Sequence, residues 1–565
     1  MRGIPWRLLG LAVGTAVLLD LPFPLAGPLP AWRSVFAWFA LVPLILGVMG
    51  LPLYAPGHRA RWYLGWSFLG GWLSGAIWFG ANCYWVYNTM HVYGGMNAPL
   101  AVLSLVLFSL YLGFWFGVFA LTLGLIWRAR FGRSYEWVAL AAVPFLWTAM
   151  EFAIARIPGF PWDQLGYSQV DNGLLTRLAP WTGVYGISFF VATVNGLLAC
   201  GLVSIRGRRD HPVRGLLVLA GMALAGGVSL GFLADRAVPR SEAMAMLVQP
   251  NLNVASDDVW VGPEWDRHID QFRQLANNPC RPWFAGMPDS GDEHLLLGCM
   301  FNRLGPPPPP PIHADFVAWP ESPAPFRDVD PKFQSAMRMI AAADRAPLIV
   351  GAIGMDADQA TQQYRIYNSA EVFAQDGHVA GRYDKMHLVP FGEYVPHREL
   401  FFFVRQIAQS LTDMSVGTER KVFRIGGVDG SAHRYGVFIC YESVFGDEVR
   451  QFVRLGAEVL VNISDDGWYG DSSAPWQHLN MARMRAIENR RWILRDTNNG
   501  VTASIDPYGT VRQSIPRHEV GALAAQFGYG SDITFYTAHG DWLAELCAIV
   551  ALGIAGWAMR TLLYS

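Results

Sequence analysis

Tyr435-Gly-Val-Phe-Ile-Cys440-Tyr-Glu-Ser443 decides how the rest of the chain is read. Residues Gly436 to Ile439 make a short apolar run of the kind that forms a buried strand, and the run ends on a cysteine. A side chain at a strand end can be held rigidly beside a turn and still meet a substrate. A thiol is intrinsically nucleophilic and needs only a neighbouring base to arm it. Free cysteine is also among the most buried residue types, so Cys440 taken alone reads first as a core residue. The rest of the chain changes that balance.

The composition points to a membrane. Hydrophobic residues make up 52% and charged residues 16% of the 565-residue chain, whereas soluble chains carry about 25% charged residues. A formal net charge of −2 suggests no nucleic-acid partner. Charge is sparse before about Leu233, dense from Asp235 to His539, and sparse again to the end. Apolar stretches of about 20 residues are long enough to cross a bilayer. Such stretches run over Leu8–Phe23, Trp32–Leu53, Trp62–Val86, Pro99–Trp127, Trp137–Ile154, Gly183–Ile205 and Gly215–Leu233, with Trp542–Leu563 closing the chain. The expectation is eight spans, the first an uncleaved one. Arg2, Arg7, Arg59, Arg61, Arg128, Arg130, Arg133, the arginines from 206 to 214 and Arg560 fall on one side if the spans alternate. By the positive-inside rule both termini lie in the cytoplasm and the charged region lies outside. Tyr84-Trp85-Val86-Tyr87 fits an interfacial aromatic belt, and Glu151 is the notable ionisable residue within a span.

The division that follows is 1–234 for the bundle, 235–540 for an outer domain, and 541–565 for the last span and a short tail. In the outer domain Met246–Val248, Phe316–Ala318, Leu348–Ile353, Val437–Ile439 and Val459–Ile463 read as buried strands. Asn368–Phe373 and His378–Tyr383 flank Gln375-Asp376-Gly377, a hairpin signal, and Asp506-Pro-Tyr-Gly509 is a second turn. Lys332–Ala343 and Trp476–Arg491 carry helical periodicity. Together these predict an α/β sandwich with helices packed on sheets. Residues 277–312 read as an insertion holding Cys280, Cys299 and the proline run Pro306–Pro311. The two thiols are either a disulfide or two unpaired loop cysteines.

Two more strand ends carry chemistry. Phe316-Val-Ala-Trp-Pro-Glu321 sets a carboxylate after an apolar run, fit for a general base or for an ordinary surface position. Lys385 and Glu393 sit around a segment kinked by Pro390 and Gly392, as an ordinary salt bridge or as an oxyanion-stabilising cation with its supporting carboxylate. Histidine spacing offers no metal site and no glycine-rich loop cradles a phosphate, so no cofactor is expected. His387 and His478 read as structural hydrogen bonders. Leu400-Phe-Phe-Phe403 follows the lysine segment and reads as lipid-facing or as core.

Trp319-Pro-Glu321, the Lys385 segment through Pro396, and Cys440-Tyr-Glu together resemble the Glu-Lys-Cys triad of the nitrilase, or carbon–nitrogen hydrolase, superfamily. Gly467-Trp-Tyr-Gly-Asp-Ser, Pro475-Trp-Gln-His478, Thr497-Asn-Asn-Gly-Val-Thr502, Gly159-Phe-Pro-Trp162 and Val248-Gln-Pro-Asn251 resemble the apolipoprotein N-acyltransferase family, over nearly the whole chain. The insertion and its proline run depart from the family pattern.

That resemblance implies a nitrilase-like α-β-β-α domain outside a bacterial inner membrane. It implies acyl transfer from a phospholipid, phosphatidylethanolamine above all, to the α-amino group of a diacylated apolipoprotein, by a monomer. It implies Cys440 as nucleophile, Glu321 as base, Lys385 as oxyanion stabiliser and Glu393 as its support. Tyr441 and Glu442 would shape the site, and Trp260, or else Trp265, would match a tryptophan of an arm over the cleft. The rival readings are a membrane-anchored amidase that uses the same triad with water, and a transporter or receptor whose outer domain only binds.

Overall fold

In the computed structural model the described residues are 4–51, 60–129, 136–205, 212–233, 239–254, 262–277, 314–321, 325–358, 363–395, 413–427 and 430–563. Trp260, Cys280, Cys299, the proline run and Leu400–Phe403 lie outside them.

Among the described residues twelve strands form two six-stranded sheets. The first has the order β12-β1-β2-β3-β4-β5, with β1 Ala243–Gln249, β2 Phe316–Trp319, β3 Leu348–Asp358, β4 Gln363–Phe373, β5 Val379–Asp384 and β12 Gly521–Phe527. The second has the order β11-β10-β9-β8-β7-β6, with β6 Val422–Gly426, β7 Ala432–Ile439, β8 Val459–Ser464, β9 Ile493–Thr497, β10 Thr502–Ile505 and β11 Val511–Ile515. In each sheet the three strands at its heart run parallel, β1-β2-β3 and β7-β8-β9. Parallel strands need long crossovers, which helices supply. Pro331–Asp344 joins β2 to β3, Gly446–Arg454 joins β7 to β8, and Ala474–Asn489 joins β8 to β9. Strands buried on both faces read as continuous apolar runs, as Val459 to Ile463 does apart from the buried Asn462. Both sequence-predicted hairpins form, with Gly377 and Gly509 at φ +85° and +79° taking the backbone where a Cβ is strained.

Between the sheets Phe316, Ala318, Ile349 and Tyr383 of one meet Tyr435, Val437, Ile439 and Val461 of the other. The Phe316 and Tyr435 rings lie 5.2 Å apart across this layer. Helices Pro263–Asn277 and Pro331–Asp344 cover the outer face of the first sheet through Phe272, Phe333 and Met337. This gives the layering helix, sheet, sheet, helix. The carboxyl ends of the parallel strands point the same way, which is where open α/β sheets place their sites.

Five helical segments are long and apolar enough to cross a membrane among the described residues: Ala31–Met49, Ala98–Arg128, Val138–Arg156, Val184–Leu202 and Trp542–Leu562. Trp6–Asp20 is helical but only 15 residues long. The stretch expected as one span from Trp32 breaks into a 3-10 segment, Ala31–Trp38, and an α-helix, Val42–Met49, with Pro43 in its first turn. Proline fits there because a first-turn N–H has no intrahelical acceptor. Helices Ala60–Asn82 and Ala98–Arg128 pack closely through small residues. A Cβ on Gly75 would lie 2.8 Å from Gly113 Cα.

The two-sheet domain is not hung loosely on the bundle. Met481, Met484 and Ile487 of the Ala474–Asn489 helix share one core with bundle residues such as Trp147 and Ile187. Trp162 Nε1 donates to Gln477 Oε1 at 2.8 Å, and Gln477 Nε2 donates to the Asn82 carbonyl at 3.1 Å. Trp85, expected in a lipid-facing belt, is buried instead. Its ring stands 5.0 Å from Trp162 and 5.1 Å from Tyr469, so it seals this joint.

Candidate active site

Cys440 follows the last residue of β7 and opens the short 3-10 segment Cys440–Val444. Its φ is +48°, a left-handed conformation uncommon for a residue with a Cβ. Such a conformation persists only where the surroundings over-determine it. Glu442 is the main fastening. Its Oε2 accepts the Ile439 N–H at 2.7 Å. Its Oε1 accepts the Tyr383 hydroxyl at 2.7 Å and the Met386 N–H at 2.7 Å. The one carboxylate therefore ties the turn after β7 to the segment after β5, two strand ends from different sheets. Burial pushes Glu442 up to about 7, against these donors.

Lys385 follows β5 and is 1% exposed. Its Nζ donates to Glu321 Oε1 at 3.0 Å and to Glu393 Oε1 at 2.8 Å. Burial pulls the ammonium down, but Glu321 and Glu393 outweigh it and hold Lys385 well above its ordinary value. Glu321, just past β2, also accepts the Asp465 N–H on Oε2 at 2.9 Å. Asn368 Nδ2 donates to Glu321 Oε1 at 2.7 Å and to Glu393 Oε1 at 2.6 Å. Burial pushes the Cys440 thiol well up, the Glu321 charge adds to this, and Lys385 opposes it. The resting thiol is protonated, with a carboxylate and an ammonium in electrostatic reach. Asp465, beside Glu321, is pushed by burial up to about 8.

Behind the cysteine lies a network the sequence reading did not assemble. His478 Nε2 is 3.1 Å from the Cys440 carbonyl oxygen and 2.7 Å from Ser443 Oγ. His478 Nδ1 is 2.9 Å from Asp466 Oδ1, and Arg495 NH2 donates to Asp466 Oδ2 at 2.7 Å. Asp466, His478 and Arg495 are all fully buried. Burial raises the Asp466 carboxyl, but Arg495 and His478 outweigh it and hold Asp466 well below the usual range. Breaking a buried pair from one side costs about 3–5 kcal/mol. Arg495→Met is therefore expected to lower the melting temperature by about 10 °C at pH 7. A depressed carboxylate contributes stability above its unfolded value and loses it as pH falls, so the deficit should shrink below pH 3.8. Thermal melting of both proteins at pH 7 and pH 3 checks this; an equal melting temperature at pH 7 would sink it.

The structure thus gathers Glu321, Lys385, Glu393, Cys440 and Glu442 at one spot. The Tyr441 hydroxyl donates to the Gly159 carbonyl at 3.1 Å and joins the domain to the bundle, with Lys385 in electrostatic reach. Trp265 packs 6.4 Å from Phe326, ring to ring, under the outer face of the first sheet. Glu151 Oε1 accepts the Trp147 indole N–H at 2.8 Å and the Leu165 N–H at 2.7 Å, a structural role. Asn368, Asp465, Asp466 and Arg495 were not singled out from sequence. Their only local signal is a polar residue in or beside an apolar strand.

The chain matches the family model described as carbon-nitrogen hydrolase over residues 309–527. It matches the apolipoprotein N-acyltransferase N-terminal domain over residues 15–197. An apolipoprotein N-acyltransferase of Geobacter metallireducens is 30% identical over 99% of this chain and 96% of its own. One of Pseudomonas syringae pv. tomato is 31% identical over 99% and 97%. Among solved structures, a mutant amidase of the nitrilase superfamily from Nesterenkonia is similar over 55% of this chain and 99% of its own, at 16% identity and a TM-score of 0.35. With relatives of that identity matched end to end, the chain belongs to the apolipoprotein N-acyltransferase family of transferases.

Proposed function

We propose that the chain transfers a fatty acyl group from a membrane phospholipid to the α-amino group of the S-diacylglyceryl cysteine that begins an apolipoprotein. Residues 1–234 and 541–565 form an eight-span bundle with both termini in the cytoplasm of a bacterial inner membrane, and residues 235–540 form the periplasmic catalytic domain. The observation that carries the reading is the buried cluster of a strand-end thiol, a carboxylate and an ammonium, backed through His478 by a helix that shares its core with apolar helices.

In the first half-reaction Glu321 takes the Cys440 proton as sulfur attacks the ester carbonyl of the donor. Lys385 and the Tyr441 N–H stabilise the oxyanion of the tetrahedral intermediate. Collapse breaks the ester C–O bond, Glu321 returns the proton to the departing alcohol, and a lysophospholipid leaves. In the second half-reaction the amine attacks the thioester, Glu321 takes its proton, and the thiolate leaves and is reprotonated. Two bulky lipids thus never occupy the site together.

Incubation of the purified full chain with phosphatidylethanolamine vesicles tests this by intact mass. The expected result is one added acyl chain, removed by neutral hydroxylamine, with an equal amount of lysophospholipid. A diacylated lipopeptide with a free α-amine should clear the adduct faster than buffer does. Clearance at the same rate with and without the peptide would point to water as acceptor and sink the transfer reading.

A further inference from the structure

Asn368 sits in β4 opposite Ile353 of β3 and is 4% exposed. Its Nδ2 donates to Oε1 of both Glu321 and Glu393, and Lys385 Nζ donates to the same two oxygens. The two carboxylate oxygens and the two nitrogens close a four-cornered ring. The backbone of Asn368 takes part as well, its carbonyl accepting the Lys385 N–H at 2.8 Å. The orientation of the amide follows from its partners, because a flipped amide would set a carbonyl oxygen against two carboxylates.

We infer that Asn368 is a positioning residue for the acyl-transfer chemistry: its amide clamps Glu321 to Glu393 and leaves Lys385 one N–H for the oxyanion. The inference rests on the reading of Cys440, Glu321 and Lys385 given above. An ammonium has three donors. Two of them go to Glu321 and Glu393. Each of those oxygens has a further lone pair, and without another donor it competes for the third N–H. The Asn368 amide fills both demands at once. It also fixes the plane of Glu321, whose other oxygen is held by the Asp465 N–H. The base is then set rigidly against the thiol, where a misplacement of about 1 Å costs roughly 10²-fold in rate.

The groups facing Glu321 are Lys385, Glu393, Cys440, Asp465 and Tyr469. Asn368→Asp keeps the shape of the side chain and adds one more negative charge to them. An added like charge makes a buried carboxylate cluster harder to ionise, so the acid limb of the rate profile moves to higher pH. Two rates are measured against pH in the full-length protein: acyl-enzyme formation by intact mass, and alkylation of Cys440 by iodoacetamide located by peptide mass. Alkylation reads the thiol without any lipid, and Cys440→Ala gives its blank.

Asn368→Ala is expected to lose about 10²-fold in acylation rate with the phospholipid KM unchanged within about twofold. Asn368→Asp is expected to shift the acid limb of both profiles up by about one unit or more. Wild-type rates in folded Asn368→Ala, or a rate loss with the Asn368→Asp acid limb unmoved, would overturn the positioning role. Should Asn368→Ala not fold, the near-isosteric aspartate variant decides alone, by its acid limb. A wild type that forms no acyl adduct, beside an alkylation profile that shifts as expected, sinks the acyl-transfer reading and supports the clamp.

Discussion

Cys440→Ala is expected to form no acyl adduct, to release no lysophospholipid, and to turn over roughly four orders of magnitude more slowly than wild type, or worse. The size of the loss follows from what remains. Without sulfur there is no covalent intermediate, so donor and acceptor lipids would have to meet at one buried spot. Glu321 and Lys385 stay tied to Glu393 and Asn368, so the variant keeps its polar cluster and is expected to fold. Alanine and cysteine differ little at φ +48°, since the strain there comes from the Cβ that both carry. Melting temperature should therefore stay within a few degrees while activity vanishes, and that separation is the signature of a nucleophile. Cys440→Ser should trap at most a slow ester that resists neutral hydroxylamine. Wild-type lysophospholipid release from folded Cys440→Ala would remove the thioester from the mechanism.

Much of this site was legible from residues alone because its chemistry sits at strand ends. Glu321 and Cys440 each stand where an apolar run stops abruptly, Lys385 follows the second strand of a hairpin marked by Gln375-Asp376-Gly377, and Glu393 lies within eight residues of Lys385, near enough to be read as its partner. Asn368 had no such signal. It was read only as the first residue of a hairpin strand, and its partners lie 47 and 25 residues away. They meet it only after β4 has paired with β3 and β5. Asp466, His478 and Arg495 stayed apart for the same reason, although His478 was expected to be structural and is. β12 was missed because Gly-Ala-Leu-Ala-Ala-Gln-Phe has no β-branched residue; its strand form comes from seven register pairs with β1. The aromatic cluster at Trp85 misled in a different way. Tryptophans near a span end suit an interfacial belt and equally suit a dry joint between two parts of a chain, and only the packing against Trp162 and Tyr469 decides between them.

Lys385→Met is expected to lower the rate of acyl-enzyme formation by about 10³-fold. Methionine fills similar space, so the loss reads the charge. The Lys385 ammonium is held well above its ordinary value by Glu321 and Glu393 against the pull of burial, so it stays cationic at every working pH. A permanently charged lysine cannot be the base that takes the thiol proton, so the proposed mechanism gives that task to Glu321 and sets Lys385 against the developing negative charge. Removing it takes away the proposed oxyanion donor and also leaves two carboxylates in a buried site with only the Asn368 amide between them. Like charges that close cannot both stay ionised, so one of them takes up a proton. Proton uptake on folding stabilises below the ordinary carboxylate value and is lost as pH rises, so Lys385→Met should fall further behind wild type in melting temperature at pH 8 than at pH 5. Lys385→Arg should not rescue the rate, because a planar guanidinium cannot present three tetrahedral donors to two glutamates and a substrate. Intact-mass kinetics with parallel melting curves at both pH values measure all of this. A folded Lys385→Met that acylates within tenfold of wild type would show that the oxyanion is held by backbone alone, with Lys385 serving only to neutralise its two neighbours.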